Sequence, residues 1–279
     1  MKVIQESILS DVVVKREPVS HKGHFGRVLL IGGFYPYGGA IIMAATGAVC
    51  SGAGLVTVAT DAGNIVSLHA ALPEAMALEV GDQERLVAEV AKSDVVLLGP
   101  GTAADDRTKG ILSLLLGQMR PDQVLILDGG AIPAFAQLGR QTQARLVFTP
   151  HEKEFEDLTG LAIDQQTLEA CQELVDRLPT GSLSLLKKHG TLVFESGSQE
   201  ADQLDIGGPY QATGGMGDTL AGMATAFLSQ FKQSGARDCL KAALYLHSMI
   251  ARDLAQERYV VRPSEIARLI PIYMKEFGR

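Results

Sequence analysis

The chain has 279 residues, 46% hydrophobic and 20% charged, with a formal net charge of −7. That composition supports a globular core. An acidic chain without a basic run is a poor nucleic-acid binder, because phosphate neutralisation dominates that affinity.

The N-terminal stretch MKVIQESILSDVVVKREPVS carries charges and no long apolar block, unlike a signal peptide. Three scattered cysteines, Cys50, Cys171 and Cys239, form no CxxC pair. They argue against a disulfide framework and a zinc site and suit a reducing compartment, so a cytoplasmic protein is expected. The first strand is expected at 28–31, running into Gly32-Gly33. From Gly38 to Thr60 there is no charge, but Gly47, Gly52 and Gly54 interrupt the run. It reads as a helix over 40–51, a turn and a buried strand over 55–60, in preference to a membrane span. Further strands are expected at 75–80, 94–98, 124–128, 146–149, 183–187 and 191–195. Most are continuous apolar runs, which marks strands buried on both faces. Helical spacing covers 84–92, 108–116, 131–135, 153–159, 167–178, 218–230, 236–257 and 264–276. Alternation of this kind predicts an α/β fold, a mainly parallel central sheet flanked by helices on both faces. With no linker or repeat in view, residues 1–279 are expected to form one domain.

In such folds ligands bind beyond the carboxyl ends of the strands. Special residues follow four of them: Gly32-Gly33, Gly99-Pro100-Gly101-Thr102, Asp128-Gly129-Gly130 and Thr149-Pro150-His151. The sharpest segment is Thr213-Gly214-Gly215-Met216-Gly217-Asp218, which leads into a helix. Its glycines can turn backbone amides toward a phosphate, and the helix dipole adds to the attraction. Asp218 then sits beside that phosphate as a catalytic base for an attacking hydroxyl. A plain capped helix start would also favour an acid there, but three glycines in four positions exceed what capping requires. No GK[ST] follows, so the turn is not a P-loop.

The other polar signals carry two readings each. Lys187, Lys188, His189, Gly190 and Thr191 lie between two apolar strands and form either a hairpin turn or a cradle for a nucleotide. His151, with Glu154 three residues on, opens a helix or serves a site. His247 lies on the stripe Leu240, Ala243, Leu244, Ile250, Ala251, Leu254 and reads as core. His21, His24 and His69 carry no signal of their own. No His/Asp/Glu cluster has the spacing of a protein-only metal site, so magnesium is expected only as nucleotide-borne Mg2+. Asp128 orients the site, meets a metal-linked water or caps the turn into Ala131. There is no G-x-S-x-G for a serine hydrolase.

Taken together, several segments resemble the ADP-dependent NAD(P)H-hydrate dehydratases. They are His21-Lys22-Gly23, Gly26, Gly32-Gly33, Gly39-Ala40 and Ser51-Gly52-Ala53-Gly54-Leu55-Val56-Thr57-Val58. Gly99-Pro100-Gly101, Thr149-Pro150-His151 with Glu154, and 214–222 follow in the family's order, so the resemblance spans about 21–265. It implies a ribokinase-like fold and repair of NADH and NADPH that have gained water at C6 of the nicotinamide ring. ADP (ATP in some relatives), with Mg2+, phosphorylates that hydroxyl, and loss of phosphate restores the dihydronicotinamide. By the same resemblance Asp218 is the base. Ala40, Gly101 and His151, with Asp218, contact the hydrated dinucleotide. Lys187, Lys188, His189, Gly190 and Thr191 hold the adenine nucleotide together with the turn Gly214, Gly215, Met216 and Gly217. A cytoplasmic homo-oligomer, such as a tetramer, is implied. Only about 20 residues precede His21, so no fused epimerase domain is expected and a separate epimerase is.

Three positions depart from the family's pattern. Asp128-Gly129-Gly130 stands for Asp-Ala-Asp, His151-Glu152-Lys153-Glu154 for His-Pro-Gly-Glu, and Lys188 for a glycine. Two further readings use the same turn: a ribokinase-like kinase for a small alcohol such as a vitamin precursor, and a nucleotide-binding sensor without turnover.

Overall fold

The computed structural model describes residues 1–139 and 142–278. In chain order the helices are α1 (Ser7–Val12), α2 (Gly38–Cys50), α3 (Ala62–Ala71), α4 (Gln83–Lys92), α5 (Asp106–Gln118), α6 (Ala131–Leu138), α7 (Glu152–Thr159), α8 (Leu168–Val175), α9 (Met216–Gln230), α10 (Ala236–Leu254) and α11 (Pro263–Phe277). The strands are β1 (Lys2–Val3), β2 (Arg27–Ile31), β3 (Leu55–Thr60), β4 (Met76–Glu79), β5 (Val95–Leu98), β6 (Val124–Leu127), β7 (Arg145–Phe148), β8 (Leu183–Leu186), β9 (Leu192–Glu195) and β10 (Asp202–Gln203). They form one sheet in the order β1-β10-β9-β8-β7-β6-β5-β2-β3-β4. Every pairing from β8 to β4 is parallel, and β9 runs antiparallel to β8 and β10.

The continuous apolar strands follow from burial on two faces. In β2, Val28 and Leu30 pack with α2, α9 and α10, whereas Leu29 and Ile31 pack with α4, α5 and α6. The same split divides Val95 and Leu97 from Val96 and Leu98. Side chains alternate across a strand, so a strand covered on both sides has no polar positions to alternate with. Among the described residues no helix is long and apolar enough to cross a membrane, and the uncharged run folds as helix, turn and strand.

Helix starts obey local capping. Asp105 accepts the Thr108 N–H at 2.9 Å, so α5 begins earlier than the expected 108. Thr167 accepts the Ala170 N–H and is the N-cap of α8, which ends at Val175. Three short stretches and α3 were not expected from sequence. Two-residue strands β1 and β10 and the six-residue α1 are too brief for periodicity to register. Helix α3 buries only Leu68, so it has no apolar stripe to read.

The strand order reverses beside β2. The chain runs β2→β3→β4 toward one edge, and then β5 returns to the other side of β2 and the order continues to β8. The carboxyl ends of β2 and β5 flank this switch point, where open α/β sheets hold their ligands.

Candidate active site

Two parts make up the site at these carboxyl ends. The first is built by backbone at the switch point. The Gly33 N–H donates to the Pro100 carbonyl at 2.8 Å, and the Phe34 N–H to the Gly101 carbonyl at 3.0 Å, which ties the two glycine turns together. Gly101 has φ +68°, and a Cβ there would stand 2.5 Å from the Tyr37 carbonyl oxygen and 3.0 Å from the Ala40 Cβ. Only glycine fits this position. Ala40 lies in the first turn of α2, so the structure brings Ala40 and Gly101 face to face.

The second part is charged. Asp128 follows β6 and is buried at 3% exposure. Its Oδ1 accepts the Thr149 hydroxyl at 2.7 Å and the Lys187 ammonium at 2.9 Å. Lys187 Nζ also lies 4.0 Å from Glu154 Oε2. Burial works against the charged lysine, but the Asp128 and Glu154 carboxylates outweigh it and hold its pKa above the usual lysine range. Asp218 is in the first turn of α9. Burial, then repulsion from Asp128 and, less, Glu154, pushes its carboxyl up to about 6, against the pull of Lys187. Glu154 is raised as well, by burial first.

His151 joins the cluster to α7. Its Nδ1 accepts the backbone N–H groups of Lys153 at 3.1 Å and Glu154 at 3.2 Å, and Glu154 Oε2 accepts the His151 N–H at 2.8 Å. This is a capping box with histidine at the N-cap. With its Nδ1 lone pair engaged, the neutral ring carries its proton on Nε2, which lies 3.3 Å from Glu154 Oε1. The geometry therefore gives His151 its helix-start role and leaves its Nε2 side facing Glu154.

Beside the cluster opens a cavity of about 740 Å³. Lys187, Lys188, His189, Gly190, Thr191, Met216 and Gly217 all line it. The stretch is also a hairpin turn between antiparallel β8 and β9. His151 reaches this cavity, whereas Gly214 and Gly215 form the turn next to it. Gly215 has φ +89° at the N-cap of α9, with no side-chain cap, so the first-turn amides have no intrahelical partner. A Cβ on Gly217 would lie 3.2 Å from Lys187 Nζ, so an anion on those amides lies beside an ammonium.

Sequence reasoning missed the far wall, formed by Asp205, Ile206, Gly207, Gly208, Pro209 and Gln211, because an irregular segment without a charge motif leaves no signal. It read His247 as core, and the ring is indeed 2% exposed, yet it also borders the cavity. There the Met216 carbonyl accepts from its ring while burial pushes its pKa down to about 4. A larger cavity of about 1190 Å³ is lined by Arg16, Phe25, Cys50, Met274 and neighbours and contains none of the expected site residues.

Among the described residues no group of three or more His, Cys, Asp and Glu side chains could hold a metal. Asp128 is neutralised by Lys187 instead. The donor set suits magnesium that arrives on nucleotide phosphates, which needs at most one or two carboxylates from the protein.

The ADP-dependent (S)-NAD(P)H-hydrate dehydratase of Streptococcus pneumoniae is 46% identical over 276 residues, 99% of this chain and 95% of its own length. A ribokinase-like superfamily protein from Enterococcus faecalis superposes with a TM-score of 0.94 at 43% identity, covering 100% of this chain and 96% of that one. The ADP/ATP-dependent NAD(P)H-hydrate dehydratase of Bacillus subtilis, crystallised with ATP and Mg2+, shares the fold at a TM-score of 0.87 and 24% identity, covering 99% of both chains. The model of the NAD(P)H-hydrate dehydratase family matches residues 28–272. The fold is ribokinase-like, and the chain belongs to the NAD(P)H-hydrate dehydratase family.

Proposed function

We propose that this chain removes water from hydrated NADH and NADPH in an ADP-driven reaction. The nucleotide occupies the 740 Å³ cavity, with its phosphates on the amides of Gly214, Gly215, Met216 and Gly217. Lys187, Lys188, His189, Gly190 and Thr191 contact it along the hairpin. The hydrated ring lies toward Ala40, Gly101 and His151. Mg2+ travels with the nucleotide and neutralises phosphate charge. The observation that carries this reading is the location of Asp218, a partly buried carboxylate in the first turn of a helix whose lead-in offers unpaired amides.

Asp218 takes the proton of the C6 hydroxyl as that oxygen attacks the phosphoryl group. Phosphoryl transfer needs little else from a protein than positioning, an anion cradle and a base. Phosphate then leaves where hydroxide could not. A carboxyl whose pKa lies at about 6 is ionised at neutral pH and still a stronger base than an ordinary aspartate. Because only the ionised form accepts a proton, turnover persists above that value and is lost as pH falls through it.

Several further features belong to the same reading. Residues 1–279 work as one catalytic domain in the cytoplasm, as a homo-oligomer. Hydration at C6 creates a stereocentre, and an enzyme specific for one epimer leaves the other behind, so a separate epimerase completes the repair. Incubation with acid-hydrated NADH, magnesium and either ADP or ATP tests the whole reading. Recovery of reduced-nicotinamide absorbance with release of inorganic phosphate is expected. No recovery with either nucleotide would sink it, and a stable phosphorylated alcohol would identify a kinase.

A further inference from the structure

Dehydration of the ring removes two protons, and Asp218 accounts for one. Elimination from the phosphorylated hydrate breaks the C5–H and C6–O bonds. The C5–H electron pair becomes the C5=C6 double bond, the C6–O pair leaves with phosphate, and the C5 proton needs an acceptor. Asp218 already carries the hydroxyl proton at that stage.

The remaining groups of the cluster are not equivalent. Asp128 is buried and held on one oxygen by both the Thr149 hydroxyl and the Lys187 ammonium. His151 has its Nδ1 lone pair occupied by two backbone N–H groups. Glu154 differs from both. Its side chain keeps 15% exposure, its Oε1 faces His151 Nε2 at 3.3 Å, and its Oε2 lies 4.0 Å from Lys187 Nζ. Oε2 also accepts the His151 backbone N–H at 2.8 Å, whereas Oε1 keeps a second lone pair beyond its His151 contact. It also stands beside His151, one of the residues proposed to contact the ring.

On the dehydratase reading above, we propose that Glu154 is the second catalytic base, taking the C5 proton of the phosphorylated hydrate as the C6–O bond breaks. The proton then passes to solvent when the products leave. The raised proton affinity that burial gives Glu154 suits this role.

The position also completes the capping box of α7, a role glutamine fills as well as glutamate. Glu154→Gln therefore separates base from cap. The wild-type and variant proteins are each mixed with acid-hydrated NADH, ADP and magnesium, and AMP, phosphorylated hydrate and NADH are quantified. The expected result is that AMP still forms, phosphorylated hydrate accumulates, and NADH formation falls about 10²–10⁴-fold, the usual worth of a general base. NADH formation that keeps pace with wild type overturns the proposal and leaves the departing phosphate as proton acceptor. AMP and NADH falling together overturn it too, since a distorted cap slows both steps. Wild-type protein that forms neither product defeats the dehydratase reading itself, and this proposal with it.

Discussion

The two parts of the site are built on opposite principles. At the switch point, Gly33, Ala40 and Gly101 carry no charge and act through shape: backbone hydrogen bonds fix two turns, and a missing Cβ leaves the space. At the ends of β6 and β8 and on α7 and α9, Asp128, Lys187, Glu154 and Asp218 act through charge balance, three acids around one ammonium. A shape-built pocket fails by collision and a charge-built one by imbalance, so substitutions in the two should leave different signatures.

The largest expected effect is at the charged end. Asp218→Asn should lower kcat about 10²–10⁴-fold with little change in the ADP dissociation constant measured by calorimetry. An equally active variant would remove Asp218 from the chemistry. Lys187→Met should come next, since it leaves Asp128 as an uncompensated buried charge. Denaturant unfolding should register a loss of about 3–5 kcal/mol. The double variant Lys187→Met/Asp128→Asn should regain most of it, and failure to do so would mean the pair is not the stabilising unit. At the shape-built end, Gly101→Val should lower kcat/KM for the hydrate about 10²-fold, the usual cost of a misplacement near 1 Å, while ADP affinity holds. Loss of ADP affinity in parallel would show that the two parts are not independent.

A smaller effect concerns stability. The folded pKa of Asp218, about 6, exceeds its ordinary 3.8, so the fold binds this proton more tightly than the unfolded chain does. Stability therefore falls as pH rises through that window. Asp218→Asn should raise the Tm at pH 8 and change it far less at pH 4. An unchanged Tm at pH 8 would indicate that the buried charge is better compensated than the cluster suggests.

Much of the shape-built part was legible in the sequence, because it is local. Glycine pairs directly after apolar strands mark turns at a sheet edge, and strands such as 95–98 betray burial on both faces by their lack of alternation. The turn into α9 was legible for the same reason. The charge balance was not. Asp128 and Lys187 are 59 residues apart, and only the sheet order, which seats β6 and β8 on either side of β7, brings them together. The ammonium that balances Asp128 follows β8, and that pairing requires the sheet order. His247 illustrates the converse limit. Helical spacing assigned it correctly to the core, but spacing cannot reveal that its ring meets the Met216 carbonyl beneath the cavity.

The central claim is that burial, together with the like charge of Asp128, raises the proton affinity of Asp218 for phosphoryl transfer to the hydrated ring. The pH dependence of kcat for AMP formation tests it most directly in wild type and Asp128→Asn. Wild type should lose activity on the acid side near pH 6. Removing the like charge of Asp128 should move that limb to lower pH. An acid limb that stays in place, or moves upward, would contradict the account.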